Sequence, residues 1–406
     1  MSEHPTSHRT SSPIHYAPRP SMPPVISNRY GSARITRLSG RTSIVHRANS
    51  WDAAYSHHPQ VAAIGGRLWA TWSLGHLHED APGQIMVHAT SDDLGQTWTA
   101  AQTLVPSVQG EHSPTCITSG GLHVGQNTIA AYASSYEITP EAMALFMESG
   151  LNHWHQPGLK TLQDVYTGVH VSHDGGATWT ATGSRLPGFI PNLSPVRLSS
   201  GRLILTGHLL HAYTDDPAGL SGWQIAALPG LPEGYYEWAR GFCPATGQLA
   251  ELGICEGSVY EIPGQPLRMM LRSNRARLAV AESRDDGETW SEPQLTDFTD
   301  CGSKMQFGRL PDGRYFALSC PDPNVPMSCL RRTPLVLAVS RDGNVFDRHF
   351  LLGDEPDAPL RYPGAYKHGR YGYPYCQVMN DHLVVINSVG KEDIECHVFD
   401  LHDLGD

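Results

Sequence analysis

Along the chain, apolar and polar positions alternate in short runs with a period of two. The clearest are Val61–Ser73, Arg202–Leu210, Leu267–Ser273, Arg314–Cys320, Thr333–Ser340 and His382–Val389. Side chains of a strand point alternately to its two faces, so this period predicts β-strands buried on at least one face. Gly-rich punctuation separates the runs, and 40 Gly and 31 Pro favour many short strands over long helices. Only Pro140–Ser149 reads as weakly helical. No apolar run approaches the length that spans a membrane as a helix.

Three octapeptides between these runs are almost the same: SDDLGQTW from Ser91, SHDGGATW from Ser172 and SRDDGETW from Ser283. A weaker copy, SRDGNVFD from Ser340, shifts the glycine and has Phe346 in place of tryptophan. The shared pattern S-x-D-x-G-x-T-W is that of a hairpin corner. Asp93, Asp174 and Asp285 can fold back on nearby backbone N–H groups, and the glycines accept a positive φ. Trp98, Trp179 and Trp290 are then expected to pack between repeats. The copies start at 91, 172, 283 and 340, so they lie 81, 111 and 57 residues apart. The shortest gap suits one unit of four strands; the longer ones suit two units or a unit with an insertion.

This corner resembles the Asp-box of the sialidase superfamily, also called the BNR repeat. The resemblance implies an all-β fold, a six-bladed β-propeller with seven blades as the alternative, covering residues 25–406. Residues 1–24, rich in Ser, Pro and His, are expected to form a flexible arm. The helix at Pro140–Ser149 is expected in an insertion between blades.

Sialidases carry their functional groups in a fixed order, and the resemblance places most of them here. Glu256, in the segment Cys255–Ser273, matches the family glutamate, and Arg272 the arginine ending the next strand. A carboxylate beside a phenol can take its proton and make a weak nucleophile competent. Arg332 matches the third arginine, with Arg331 a competitor; an arginine fork holds a carboxylate with two parallel hydrogen bonds. Tyr373 stands where the nucleophile is expected, flanked by Tyr371 and Tyr375. Asp80, with Glu79 as rival, occupies the loop of the general acid. The departure is at the first arginine, which is replaced by His57-His58-Pro59.

The histidines open a second reading. A polysaccharide lyase cleaving beside a uronic acid needs a base near neutrality, which His57 or His58 could be, and His57 with Tyr136 or Tyr373 and Arg272 forms such a set. A non-catalytic glycan-binding propeller is the third. The leading expectation is a glycoside hydrolase that releases an acidic sugar from a glycan end. Asp80, Glu256, Tyr373 and His57 would be catalytic, and Arg272, Arg332, His58 and Tyr136 would bind substrate.

Charge and composition narrow the partners. A net charge of −11 with no basic cluster argues against nucleic acid. His76-x-His78 with Glu79 and Asp80, and His153-x-His155, have local metal-ligand spacing without the second half of a site. No metal or other cofactor is therefore expected, apart from a structural calcium that sequence does not reveal. Eight scattered cysteines without CxxC pairs, and an N-terminus without an apolar leader, point to reduced thiols and a cytoplasmic location.

Overall fold

The computed structural model describes residues 25–32, 34–149, 160–231, 247–324, 331–357 and 359–405. Their strands form six antiparallel sheets, which settles the blade number at six. Blade 1 holds β3 (Tyr55–Ile64), β4 (Arg67–Gly75), β5 (Ile85–Ser91) and β6 (Gln102–Val105). Blade 2 holds β7 (Cys116–Val124), β8 (Ile129–Ile138), β9 (Leu162–Ser172) and β10 (Thr180–Pro187). Blade 3 holds β11 (Val196–Arg197), β12 (Leu203–Thr206), β13 (Leu210–Thr214) and β14 (Gln224–Ala227). Blade 4 runs from β15 (Gly257–Tyr260) through β16 (Leu267–Leu271) and β17 (Arg277–Ser283) to β18 (Gln294–Thr299). Blade 5 has β19 (Gln306–Arg309), β20 (Tyr315–Ser319), β21 (Leu335–Ser340) and β22 (Arg348–Gly353), with β1 (Ile35–Arg37) added in parallel on β22.

Blade 6 closes the wheel. Its strands β23 (Gly372–Met379), β24 (His382–Val389) and β25 (Asp393–Asp400) come from the C-terminal end, and β2 (Gly40–His46) from the N-terminal end supplies the fourth. Pairing β2 with β25, the last strand, ties the two ends of the sheet ring together and removes an edge. Apolar layers fill every seam between neighbouring blades: Leu68 and Val384 between blades 1 and 6, Trp69 and Leu122 between 1 and 2, Tyr132 and Trp223 between 2 and 3, Ile204 and Leu271 between 3 and 4, Met270 and Phe307 between 4 and 5, and Leu337 and Leu383 between 5 and 6.

The repeated corners join the third and fourth strands of blades 1, 2, 4 and 5. In blade 2, Asp174 accepts from the Thr178 N–H at 2.9 Å and from its hydroxyl at 2.6 Å, while Ser172 Oγ accepts the Gly176 N–H at 2.8 Å. Gly176 has φ +93°, and a Cβ there would lie 2.1 Å from Trp69 of blade 1, so position and contact both demand glycine. Trp179 packs on that same seam, Trp98 on the seam with blade 6, and Trp290 against blade 3. Phe346 of the weaker copy is fully buried between blades 4 and 5.

Blade 3 carries a fifth corner that the octapeptide pattern misses. In Thr214–Trp223, Asp216 Oδ2 accepts the N–H groups of Leu220 and Ser221 and the Ser221 hydroxyl, each at 3.0 Å, and Trp223 donates to Gly219 O. One extra residue on each side of Gly219 hides the match. This explains the spacing: the gap of 111 spans two blades, whereas that of 81 spans one with an insertion. The insertion contains helix α1 (Pro140–Ser149), whose extent is as the sequence predicts. It joins β8 to β9 inside blade 2, rather than lying between blades as expected.

Candidate active site

Antiparallel order decides which residues share a face. The start of each first strand, the end of each second and the start of each third lie at one end of the wheel; the corners follow the third strand and lie at the other. Glu256 precedes β15, Arg272 follows β16, Arg332 precedes β21, and Tyr373 begins β23. His57 and His58 lie early in β3, Asp80 follows β4, and Tyr136 is paired with Cys116 at the start of β7. All eight candidates therefore collect on the face opposite the Asp-boxes.

At the centre, the Tyr373 hydroxyl donates to Glu256 Oε1, and Arg272 Nη1 donates to Glu256 Oε2 at 2.8 Å. Burial alone would raise the Glu256 pKa, but the Arg272 charge, His208 and the hydrogen bonds hold it well below the usual carboxylate range. Burial and the neighbouring carboxylate push the Tyr373 phenol well above 10. The resting pair is thus a neutral phenol on a carboxylate, with the base already on the proton it would take.

The competing registers separate. Tyr371 gives its hydroxyl to Glu355, and Tyr375 is drawn toward Ser194 of blade 3, so only Tyr373 meets Glu256. Arg331 is exposed, whereas Arg332 is 3% exposed and places its guanidinium 4.8 Å from the centroid of the Tyr373 ring. Nε and Nη1 of Arg332 have no hydrogen-bond partner among the described residues. Buried cationic donors without partners are costly by themselves and matched to an incoming anion. Glu79 is ion-paired with Lys391, while Asp80, 6% exposed, acts electrostatically on Tyr55, Tyr136 and Lys391.

The histidines at the lost arginine lie against the tyrosine. His57 is fully buried, 4.2 Å from the Tyr373 ring centroid, and its Nδ1 shares a 2.7 Å hydrogen bond with Ser388 Oγ. Ser388 Oγ also lies 3.2 Å from Gly372 O. Burial, then Lys391 and the other nearby cations, lower the His57 pKa well below 6.5. His58 contacts Ser73 Oγ at 3.2 Å and is likewise held neutral, by burial first and then by Lys304. Tyr136 is buried beside Thr118, its hydroxyl 3.2 Å from Thr118 Oγ1. The residues His76 and His78 do not converge on a metal: His78 Nδ1 accepts the Ala365 N–H, and His76 lies 4.0 Å from Asp52. His153 and His155 lie outside the described residues.

Sequence reasoning missed two groups. Lys304 is fully buried, with Nζ 5.0 Å from the Tyr373 ring centroid and donating to Asn192 O at 2.8 Å. Burial brings its pKa down to about 7, partly offset by Glu256. Asp300, also buried, accepts the Gly302 and Ser303 N–H groups through Oδ2, and burial raises its pKa to about 7. Their signal was positional: both lie just ahead of β19, as Glu256 lies just ahead of β15. A cavity of about 1090 Å³ lies toward the other end of the wheel, lined by Glu261, Arg309 and Asp312, and contains none of these groups.

The fold and this face define a sialidase-type propeller. A model of the BNR repeat-like domain matches residues 139–386, and the chain belongs to that family. Among solved structures, Trypanosoma rangeli sialidase is similar over 90% of this chain and 60% of its own, with 16% identity and a TM-score of 0.60. The present chain thus spans well under two thirds of that enzyme. The NanB sialidase of Streptococcus pneumoniae matches over 89% of this chain and 71% of its own (14% identity, TM-score 0.57). A Dyadobacter fermentans protein of unknown function is covered over 98% of its length and 90% of this one, with 16% identity and a TM-score of 0.60. No curated protein matches. No helix among the described residues is long and apolar enough to cross a membrane.

Proposed function

We propose that the protein is a glycoside hydrolase releasing an acidic sugar from a glycan end. The observation that carries this reading is the Tyr373–Glu256–Arg272 chain with the unpartnered Arg332 donors beside it. Arg332 and the remaining N–H groups of Arg272 bind the sugar carboxylate. Tyr373 Oη attacks the anomeric carbon as its proton passes to Glu256, and Asp80 protonates the departing glycosidic oxygen. Asp80 then takes a proton from water, which attacks the same carbon and returns Tyr373 to the phenol with the Glu256 proton. The complex of Trypanosoma rangeli sialidase, 15% identical, with 2,3-difluorosialic acid is a covalent intermediate, which supports the nucleophilic route.

Elimination is the second reading, because His57 is a buried imidazole held neutral, whose Nε2 has no hydrogen-bond partner among the described residues. In that route the imidazole removes the proton α to a uronate carboxylate, and the 4-substituent leaves. Incubation with sialosides, other acidic-sugar glycosides and uronate oligosaccharides, followed by mass spectrometry, separates the two. Products that sum to substrate plus one water support hydrolysis. Products that sum to the substrate mass, one unsaturated and absorbing in the near ultraviolet, replace it by elimination. Binding without any product leaves the non-catalytic propeller.

A further inference from the structure

Beside the Tyr373–Glu256 pair, at the seam of blades 3 and 4, three unlike donor groups come together. One ligand atom each from His208, Cys255 and Glu256 lies within 4.8 Å of the other two, the only such group of three among the described residues. His208 stands in the connection between β12 and β13, and Cys255-Glu256 leads into β15. The two segments are fastened to each other and to their surroundings. Gly257 N–H donates to Gly207 O at 3.3 Å, Cys255 N–H donates to Arg272 O at 2.9 Å, and Arg272 N–H donates to Glu256 O at 2.9 Å. The donors are therefore set on backbone that is already fixed, with His208 and Cys255 half-buried and Glu256 buried.

We propose that His208, Cys255 and Glu256 bind one borderline-soft divalent cation, zinc being the best match, and that its binding blocks the use of Glu256 as a base. An imidazole nitrogen, a sulfur and a carboxylate oxygen form a set suited to zinc, whereas calcium and magnesium require oxygens. Three protein ligands leave a fourth tetrahedral position for water or a substrate carboxylate. Binding converts the Cys255 thiol to a thiolate and releases one proton to solvent. Each carboxylate oxygen has two lone-pair sites, so Glu256 can meet the metal without first leaving Arg272. With the metal on Glu256, the carboxylate no longer accepts the Tyr373 proton. The inhibitory consequence rests on the hydrolase reading; the binding does not.

The test uses the full chain, reduced and stripped with a chelator, and cobalt(II) as probe. Titration should give a sulfur-to-cobalt charge-transfer band in the near ultraviolet and visible bands of tetrahedral cobalt, saturating at one equivalent and displaced by zinc. C255S should lose the sulfur band, and H208A should weaken binding at least about tenfold. Tyr373→Phe should keep both, since the phenol is not a ligand. Absence of the band in the unsubstituted protein overturns the proposal whatever the variants do, and a band that survives in C255S overturns it too. Given a substrate, one equivalent of zinc should abolish turnover reversibly in the unsubstituted protein and leave C255S uninhibited. A band without turnover on any substrate upholds the metal site and removes the hydrolase reading instead.

Discussion

The ion pair under the tyrosine can be tested before any substrate is known. Glu256 is 1% exposed and the Arg272 side chain 15%, at an N···O distance of 2.8 Å. With an effective dielectric near 20, two charges at that distance attract by roughly 6 kcal/mol. Desolvation cancels much of this, so the pair as a unit adds little; removing one partner leaves the other charge buried alone and costs about 3–5 kcal/mol. Glu256→Gln and Arg272→Met should each destabilise by about that amount, and the double variant by far less than their sum. Gln at 256 must turn its NH2 group either toward the Arg272 donors or toward the Tyr373 hydroxyl, which then has no acceptor there for its proton. Urea denaturation followed by tryptophan fluorescence at pH 7 yields the coupling, expected at about 3 kcal/mol or more. The folded Glu256 pKa is depressed, so this stabilisation is fully present above the unfolded value near 4.3. It is lost as pH falls below that toward the folded pKa. Two single effects that add to the double within about 0.5 kcal/mol would refute the reasoning.

Three further outcomes follow from the same geometry. The folded pKa of Asp300 is raised to about 7, so wild-type stability falls as pH rises from about 4 to about 7. Asp300→Asn keeps the acceptor for Gly302 and Ser303 and cannot ionise; its melting temperature should gain on wild type across that window, by the equivalent of up to about 4 kcal/mol. Gly176→Ala places a Cβ 2.1 Å from Trp69 at φ +93° and should cost about 2–4 kcal/mol by denaturant melts, though the residue touches no substrate. Arg332→Lys replaces the fork by a point charge. It should lower kcat/KM for an acidic sugar about 100-fold, and change that for the same sugar with its carboxylate reduced much less; equal losses on both would remove Arg332 from carboxylate binding.

The wheel was legible because its corners are local chemistry. Ser172, Asp174, Gly176 and Thr178 satisfy one another within seven residues, so the pattern survives wherever the rest drifts. The blade 3 corner was illegible for the same reason, since two single-residue insertions break the spacing while Asp216 keeps its hydrogen bonds. Site residues with a familiar neighbourhood, Glu256 before its strand and Arg332 before its corner, could be named in advance. Lys304 could not, because a lone lysine in CGSKMQF looks like a surface charge until β19 is known to face the axis. His208 and Cys255 meet only across a blade seam, a relation that no linear spacing expresses.

The backbone itself marks the same face. Only 13 described non-glycine residues have positive φ, and four of them, His58, Asp80, Arg332 and Tyr373, are among the eight candidates named from sequence. His58 and Tyr373 both stand immediately before proline, where the register of β3 and of β23 slips. Each left-handed residue costs about 1–2 kcal/mol, so the four together weigh as much as the net stability of many domains. The slip ends regular pairing and turns a side chain from the blade seam toward the axis, where Tyr373 meets Glu256 and His58 meets Ser73. Apolar packing in the blade seams holds these four residues in a conformation they would not choose alone. Corner residues such as Leu94 and Asp286 also take this conformation, but half of the eight candidates do so, as a scaffold that holds reactive groups against their own preference requires.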